Sequence, residues 1–220
     1  MNPLAYIELA PQGSADASVI WLHGLGASGN DFQPIVPELG LPNGHKIRFI
    51  FPHAPEQAVT VNGGHNMPSW YDILSMGSSG RSVNQEQFQT SVANVRYLVE
   101  QEIKRGIAPE RIILAGFSQG GAVAYHVALS HPVQLGGLLT LSTYMPLADT
   151  LPQPAQHPEL PIFVMHGTQD PVVPESLGKE ALQNLETMGY RYRYESYPME
   201  HQVCMEQVKH IGEWLAEVLA

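Results

Sequence analysis

Gly116-Phe117-Ser118-Gln119-Gly120 matches G-x-S-x-G, directly after the aliphatic run Arg111 to Ala115 and directly before the helical stretch Gly121 to Leu129. A strand-to-helix turn of this kind holds its central residue at strained dihedrals and needs small neighbours, which Gly116, Gly120 and Gly121 supply. Ser118 is then lifted above the strand end. The helix that starts behind it offers free N–H groups and the positive end of its dipole, the environment in which an oxyanion can develop. The chemistry implied is acyl transfer to a serine, with the Gln119 N–H as one oxyanion donor.

A serine hydroxyl is a weak nucleophile at neutral pH, so the motif requires a histidine base and an orienting carboxylate on later strand-end loops. After the run Pro161 to Met165 comes His166-Gly167-Thr168-Gln169-Asp170, with Pro171 and Pro174 stiffening the loop, and Asp170 is the expected carboxylate. The alternating run Tyr190 to Tyr197 leads through Pro198-Met199-Glu200 to His201, the expected general base. One helix, one strand and two short turns lie between Asp170 and His201, enough for a crossover that returns both loops to one sheet edge. His210 is a rival base inside a helical stretch, while Glu175 and Asp149 are rival carboxylates at a helix start and in a proline-rich connection. The second oxyanion donor is expected from His23-Gly24-Leu25-Gly26, after the run Ser18 to Leu22, with the Leu25 N–H facing the carbonyl oxygen. His23 and His166 read as structural histidines. Because the base must be neutral to act, activity is expected to fall in acid.

The elements that must position these groups follow an α/β pattern. Ser18 to Leu22, Ile47 to Phe51, Arg111 to Ala115, Leu138 to Leu141 and Pro161 to Met165 read as buried strands of a parallel sheet. Tyr190 to Tyr197 alternates like a strand near the sheet edge. Phe88, Val92, Val95, Val99 and Ile103 recur at helical spacing between Ser82 and Gly106, with Ser82 and Gln85 as a candidate capping box. Leu177, Ala181, Leu185 and Met188 before Gly189 define a second helix, and Cys204, Val208, Ile211, Leu215 and Val218 a third. Pro52 to Arg81 reads as a long loop carrying Met67, Trp70, Tyr71, Leu74 and Met76, apolar residues suited to wall a pocket for an apolar ligand.

With 220 residues and 44% hydrophobic content, the chain is expected to form a single domain, residues 1–220. The formal charge of −10, from 21 acidic and 11 basic side chains, argues against a nucleic-acid partner. The single cysteine, Cys204, excludes an internal disulfide and points to a reducing, cytoplasmic setting, with Cys204 itself a packing residue. No apolar run has membrane-spanning length, so stable membrane insertion is not expected. No metal or organic cofactor is expected: a His-x-x-x-His pair with an intervening Glu is absent, and the serine mechanism needs none.

The ordered set HGLG at His23, MPSWYDI at Met67, GFSQGG at Gly116, GTQD at Gly167 and a late His201 resembles the small carboxylesterase and acyl-protein thioesterase family of α/β-hydrolases along nearly the whole chain. The resemblance implies an α/β-hydrolase fold, a mainly parallel sheet flanked by helices with no large cap domain. It implies the same roles: Ser118 nucleophile, His201 base, Asp170 its partner, Leu25 and Gln119 the oxyanion hole, and the stretch from Trp70 through Leu74 to Met76 the wall of an acyl pocket. Where relatives often carry Gly, this chain has Thr143, which is expected near the substrate cleft; Ala27 and His65-Asn66 are further departures. The expected activity is hydrolysis of carboxylic esters, with thioesters as a further substrate class. Acyl-protein thioesterase or lysophospholipase action is the alternative, and a non-catalytic hydrolase-fold binding protein the remote one. Relatives of this kind also form homodimers.

Overall fold

The computed structural model describes residues 4–77 and 80–220; Ser78 and Ser79, within the predicted Pro52 to Arg81 loop, and residues 1–3 lie outside the described residues. In chain order the elements are β1 (Tyr6–Leu9), β2 (Ala17–Leu22), β3 (Ile47–Pro52), β4 (Glu56–Val59), β5 (His65–Pro68), β6 (Ile73–Gly77), β7 (Gly80–Val83), α1 (Gln85–Lys104), β8 (Ile112–Phe117) and α2 (Gln119–Leu129). They continue with β9 (Gly137–Leu141), β10 (Ile162–Gly167), α3 (Glu175–Met188), β11 (Arg193–Tyr197) and α4 (Met205–Val218).

Seven strands form the main sheet in the order β1-β3-β2-β8-β9-β10-β11. From β3 to β11 every neighbouring pair is parallel, and only β1 runs antiparallel, pairing Ile7 with Phe51 of β3. This is the expected α/β sheet, with β11 at its edge as the alternation implied. β1 is an addition that a stretch of only four residues did not announce. The central strands are mostly apolar and buried because helices cover both faces. Ile20, Leu114 and Val164 pack with Val95 of α1, Val123 of α2 and Leu185 of α3 on one side. Val19, Ile113 and Phe163 pack with Ile211 and Trp214 of α4 on the other.

Helix ends follow local chemistry. α3 stops where Gly189 takes φ +93°, a left-handed conformation that an L side chain adopts only under strain. α1 is capped by Asn84, whose Oδ1 accepts the Gln87 N–H at 3.1 Å, and not by the predicted Ser82–Gln85 box. Ser82 is held in β7 by pairing with Ser75, so its backbone is extended three residues before the helix begins.

The predicted loop from Pro52 to Arg81 is largely two antiparallel hairpins, β4–β5 and β6–β7. Their glycine-rich turns, with Gly63 and Gly64 at φ +67° and +75°, gave a loop-like sequence to what is paired backbone. Trp70 and Tyr71, expected among the pocket-walling residues of that loop, are fully enclosed at 1% and 0% exposure. Leu74 and Met76 on β6 do face outward, at 44% and 50%.

Candidate active site

β2, β8, β10 and β11 all deliver their following loops to the carboxyl edge of the sheet, where open α/β sheets place their sites. β8 passes into α2 through Ser118, which adopts φ 53°, ψ −122°, a strained conformation for a residue with a side chain. Backbone approaches closely on either side of the serine. A Cβ on Gly116 would lie 2.6 Å from Gly120 backbone, and one on Gly120 would lie 2.5 Å from the carbonyl oxygen of His23. Thr143 holds the strained turn from beneath, its Oγ1 donating to the Ser118 carbonyl at 2.6 Å.

Ser118 Oγ lies 2.9 Å from His201 Nε2 and donates to it, while His201 Nδ1–H donates to Asp170 Oδ2 at 2.6 Å. Asp170 Oδ1 accepts the N–H groups of Val172 and Val173, both at 2.8 Å. Burial pushes the Asp170 carboxyl up, yet the bonds from His201, Val173 and Val172 outweigh it and hold the group below the usual carboxylate range. An ionised Asp170 fixes the tautomer with the proton on Nδ1, which leaves the Nε2 lone pair facing Ser118. The Phe117 ring, 4.7 Å from the His201 ring, covers one side of the imidazole.

The loop after β2 crosses directly in front of the serine: a Cβ on Gly24 would meet the Phe117 ring at 3.1 Å and Ser118 Cβ at 3.4 Å. It is pinned on both sides. His23 Nδ1–H donates to the Gly24 carbonyl at 2.7 Å, and its Nε2 accepts the Ala54 N–H at 3.0 Å, which occupies both ring nitrogens. Trp70 Nε1 donates to the His23 carbonyl at 2.8 Å, and the Gly26 N–H donates to the Pro68 carbonyl at 2.8 Å. The Gln119 side chain ties the same loop system to α2. Its Oε1 accepts the Trp70 N–H at 2.8 Å and its Nε2 donates to the Tyr71 carbonyl at 2.6 Å. Leu25 and Gln119 thus stand on two sides of a cleft that Ser118 and His201 also line.

That cleft holds about 300 Å³ and is walled by Ile73, Met76, Phe117 and Val172, with Asn62 and Arg81 as its polar additions. A larger depression of about 590 Å³ lies at the other edge of the sheet, among Leu9, Pro37, His45 and Phe49, remote from the relay. Of the residues expected to bind substrate, Met76 lines the cleft. Trp70 and Thr143 instead stand behind its wall, because their polar atoms are engaged by His23 and Ser118 backbone. Leu74 is exposed on the same strand as Met76 but does not line the cleft itself. Phe117, Val172, Asn62 and Arg81 were missed; Phe117 and Val172 sit beside motif residues, whereas Asn62 and Arg81 carry no motif that marks them.

The rivals lie elsewhere. His210 is bound to Glu195 at 2.6 Å and to the Tyr197 hydroxyl at 2.8 Å. Glu175 pairs with Lys179 and Tyr194, and Asp149 is exposed in a short 3-10 turn. His166 donates from Nε2 to the Val173 carbonyl at 2.8 Å and so braces the Asp170 loop. Cys204 is half-buried at the start of α4, against the core of that face. Among the described residues no cluster of His, Cys, Asp and Glu could hold a metal ion, and no helix is long and apolar enough to cross a membrane.

Comparison with known proteins adds a family and a fold. The phospholipase/carboxylesterase family model matches residues 5–219. Acyl-protein thioesterase 1 of Neurospora crassa is 37% identical over 213 residues, covering 92% of this chain and 87% of that protein. SOBER1 of Arabidopsis thaliana superposes with a TM-score of 0.86 at 31% identity, covering 93% of this chain and 99% of that one. Acyl-protein thioesterase 2 of Zea mays gives a TM-score of 0.85 at 26% identity, with 98% and 99% coverage.

Proposed function

Since the chain belongs to the phospholipase/carboxylesterase family and is a serine hydrolase of the α/β-hydrolase fold, we propose that Ser118, His201 and Asp170 carry out its ester cleavage through an acyl-enzyme. The observation that carries this reading is the unbroken hydrogen-bond chain from Asp170 through His201 to Ser118 at the mouth of an apolar cleft.

His201 Nε2 takes the Oγ proton as Ser118 Oγ attacks the substrate carbonyl carbon. The carbonyl oxygen becomes an anion held by the N–H groups of Leu25 and Gln119. Collapse breaks the ester or thioester bond, and the imidazolium returns its proton to the leaving alcohol or thiol. A water molecule, deprotonated by the same Nε2, then attacks the acyl-serine carbonyl, and the carboxylic acid leaves as Ser118 recovers its proton. Asp170 stays ionised throughout and stabilises the imidazolium. No step requires a metal or an organic cofactor.

The apolar walls and the outward-facing Met76 and Val172 at the cleft support acyl-chain substrates, and the relatives' names support thioesters of acylated proteins as the physiological class. Every group in the scheme belongs to one chain, which we read as a single domain, so a homodimer is not needed for catalysis. The lone Cys204 supports a reducing compartment, the cytoplasm. A panel of esters and thioesters of graded acyl length, assayed with native protein and Ser118→Ala, tests the reading. Turnover should fall by about 10⁴-fold or more in the variant. Undiminished turnover by Ser118→Ala would overturn it.

A further inference from the structure

Three consecutive peptide planes cross in front of Ser118, and each is held by a different residue. The His23 carbonyl accepts the Trp70 indole N–H at 2.8 Å, the Gly24 carbonyl accepts the His23 Nδ1–H at 2.7 Å, and the Gly26 N–H donates to the Pro68 carbonyl at 2.8 Å. A peptide is planar, so a carbonyl held in place also fixes the direction of the N–H that shares its plane. The N–H in plane with the Gly24 carbonyl is that of Leu25, and it meets no protein acceptor among the described residues.

Trp70 joins this loop to the second donor. Its backbone N–H donates to Gln119 Oε1 at 2.8 Å, on the residue whose own N–H is the other expected oxyanion donor. Its carbonyl accepts the Ser91 hydroxyl from α1, and its ring lies against the His23 ring, with centroids 5.2 Å apart. All three polar groups of Trp70 are therefore engaged by protein, its exposure is 1%, and it does not line the cleft. A side chain placed this way cannot touch substrate, yet it sets the separation of two donors that must converge on one oxygen.

We propose that Trp70 is a positioning residue of the reaction: its indole and backbone N–H groups hold the Leu25 and Gln119 donors in one frame, preorganised for the oxyanion. The proposal rests on the ester-hydrolase reading above. It separates Trp70 from a pocket wall, because a wall binds ground state and transition state alike and acts on KM, whereas donor alignment acts on kcat.

The test replaces Trp70 site-specifically by benzothienylalanine, which keeps the fused ring and exchanges the N–H for sulfur, and sets Trp70→Phe beside it. Trp21 replaced by the same isostere is the control: it is as buried, at 0% exposure, and its Nε1 has no hydrogen-bond partner among the described residues. Kinetics on a short ester, per folded molecule, are compared with inhibition by an alkyl trifluoromethyl ketone. The ketone carbon bonds to Ser118 Oγ, the Oγ proton passes to His201 Nε2, and the ketone oxygen becomes the anion that the two donors must hold. With the isostere at Trp70, kcat should fall about 10- to 100-fold, less than the roughly 10²- to 10³-fold loss on deleting an oxyanion donor. Acylation and deacylation both pass through an oxyanion, so KM should stay within about threefold while ketone affinity weakens by the same factor as kcat. The Trp21 isostere should retain native kcat and ketone affinity. Trp70→Phe should repeat the loss at Trp70, and the isostere carries the test alone should Trp70→Phe fail to fold. An unchanged kcat, a KM that rises at constant kcat, or an equal loss with the isostere at Trp21 overturns the positioning role while leaving the hydrolase reading intact. Native protein inert toward every ester and toward the ketone overturns both.

Discussion

The turn at Ser118 and the β6–β7 hairpin face each other across one cleft and are built on opposite principles. Around Ser118 little is free to adjust: the strained serine is bonded from below by Thr143, and both neighbouring glycines are in contact with backbone. The Gln119 side chain is held by the Trp70 N–H and the Tyr71 carbonyl. The hairpin opposite is paired mainly within itself and leaves Leu74 and Met76 exposed, while Arg81 ties it to the Asp170 loop. On the proposed reading, chemistry is assigned to strand ends at the carboxyl edge of the sheet and the fit to substrate to an appended hairpin joined to them at Arg81.

The largest effect should come from the rigid side. Asp170→Asn keeps an acceptor for the Val172 and Val173 N–H groups but presents an amide to His201 Nδ1, which favours the wrong imidazole tautomer. The expected loss in kcat is about 10⁴-fold, with folding retained. Steady-state kinetics beside a circular dichroism spectrum checks it; a loss under tenfold would show that orientation of His201 does not depend on this carboxylate.

Acid should attack the same side through His126 of α2, whose Nε2–H donates to the Pro146 carbonyl at 2.6 Å. Burial lowers its pKa to about 4. Between that value and about 6.5, where the unfolded histidine ionises, the unfolded chain binds the proton and the folded one does not. Stability is therefore lost as pH falls through this window, by about 3 kcal/mol for this one group at 1.36 kcal/mol per pH unit. Urea unfolding at pH 7, 5.5 and 4 should show the decline, and His126→Gln should flatten it by close to one proton. An identical slope in the variant would remove His126 from the account.

Gly120→Ala should follow, destabilising by roughly 1–3 kcal/mol, since the new methyl meets the backbone of Leu22 and His23 and pushes α2 away from the oxyanion loop. Activity should fall more than stability alone accounts for, measured per folded molecule; full activity per folded molecule would show that the close approach is dispensable. At the hairpin, Leu74→Ser and Met76→Ser should alter stability by no more than about 0.5 kcal/mol, as exposed substitutions do. Met76→Ser should raise KM for long-chain esters, whereas Leu74→Ser, outside the cleft, should do so less. Equal stability losses at Gly120 and Met76 would erase the contrast between the two regions.

The same contrast explains what could be read from the chain. The meeting of Ser118, Asp170 and His201 was legible because a strand-end turn imposes a glycine pattern, Asp170 follows a fully buried strand, and His201 follows the alternating strand at the sheet edge. Gln119 was legible through its backbone only, and its side-chain bonds to the Trp70 and Tyr71 backbone are tertiary facts with no local trace. The hairpins were missed because a two-sided, partly exposed ribbon has no buried face to impose alternation, and its turn glycines resemble those of an open loop. Trp70 and Thr143 were displaced from the cleft to its supports for a related reason: composition shows that a residue is apolar or small, but not which side of a wall it occupies.

The most direct test of the central claim is covalent. Native protein treated with a fluorophosphonate, then digested and mapped by mass spectrometry, should carry a single adduct on Ser118, and labelling should be lost in Ser118→Ala and slowed severely in His201→Ala. An adduct on any other residue, or full labelling of Ser118→Ala, would contradict the assignment of the Ser118–His201–Asp170 relay as the catalytic centre.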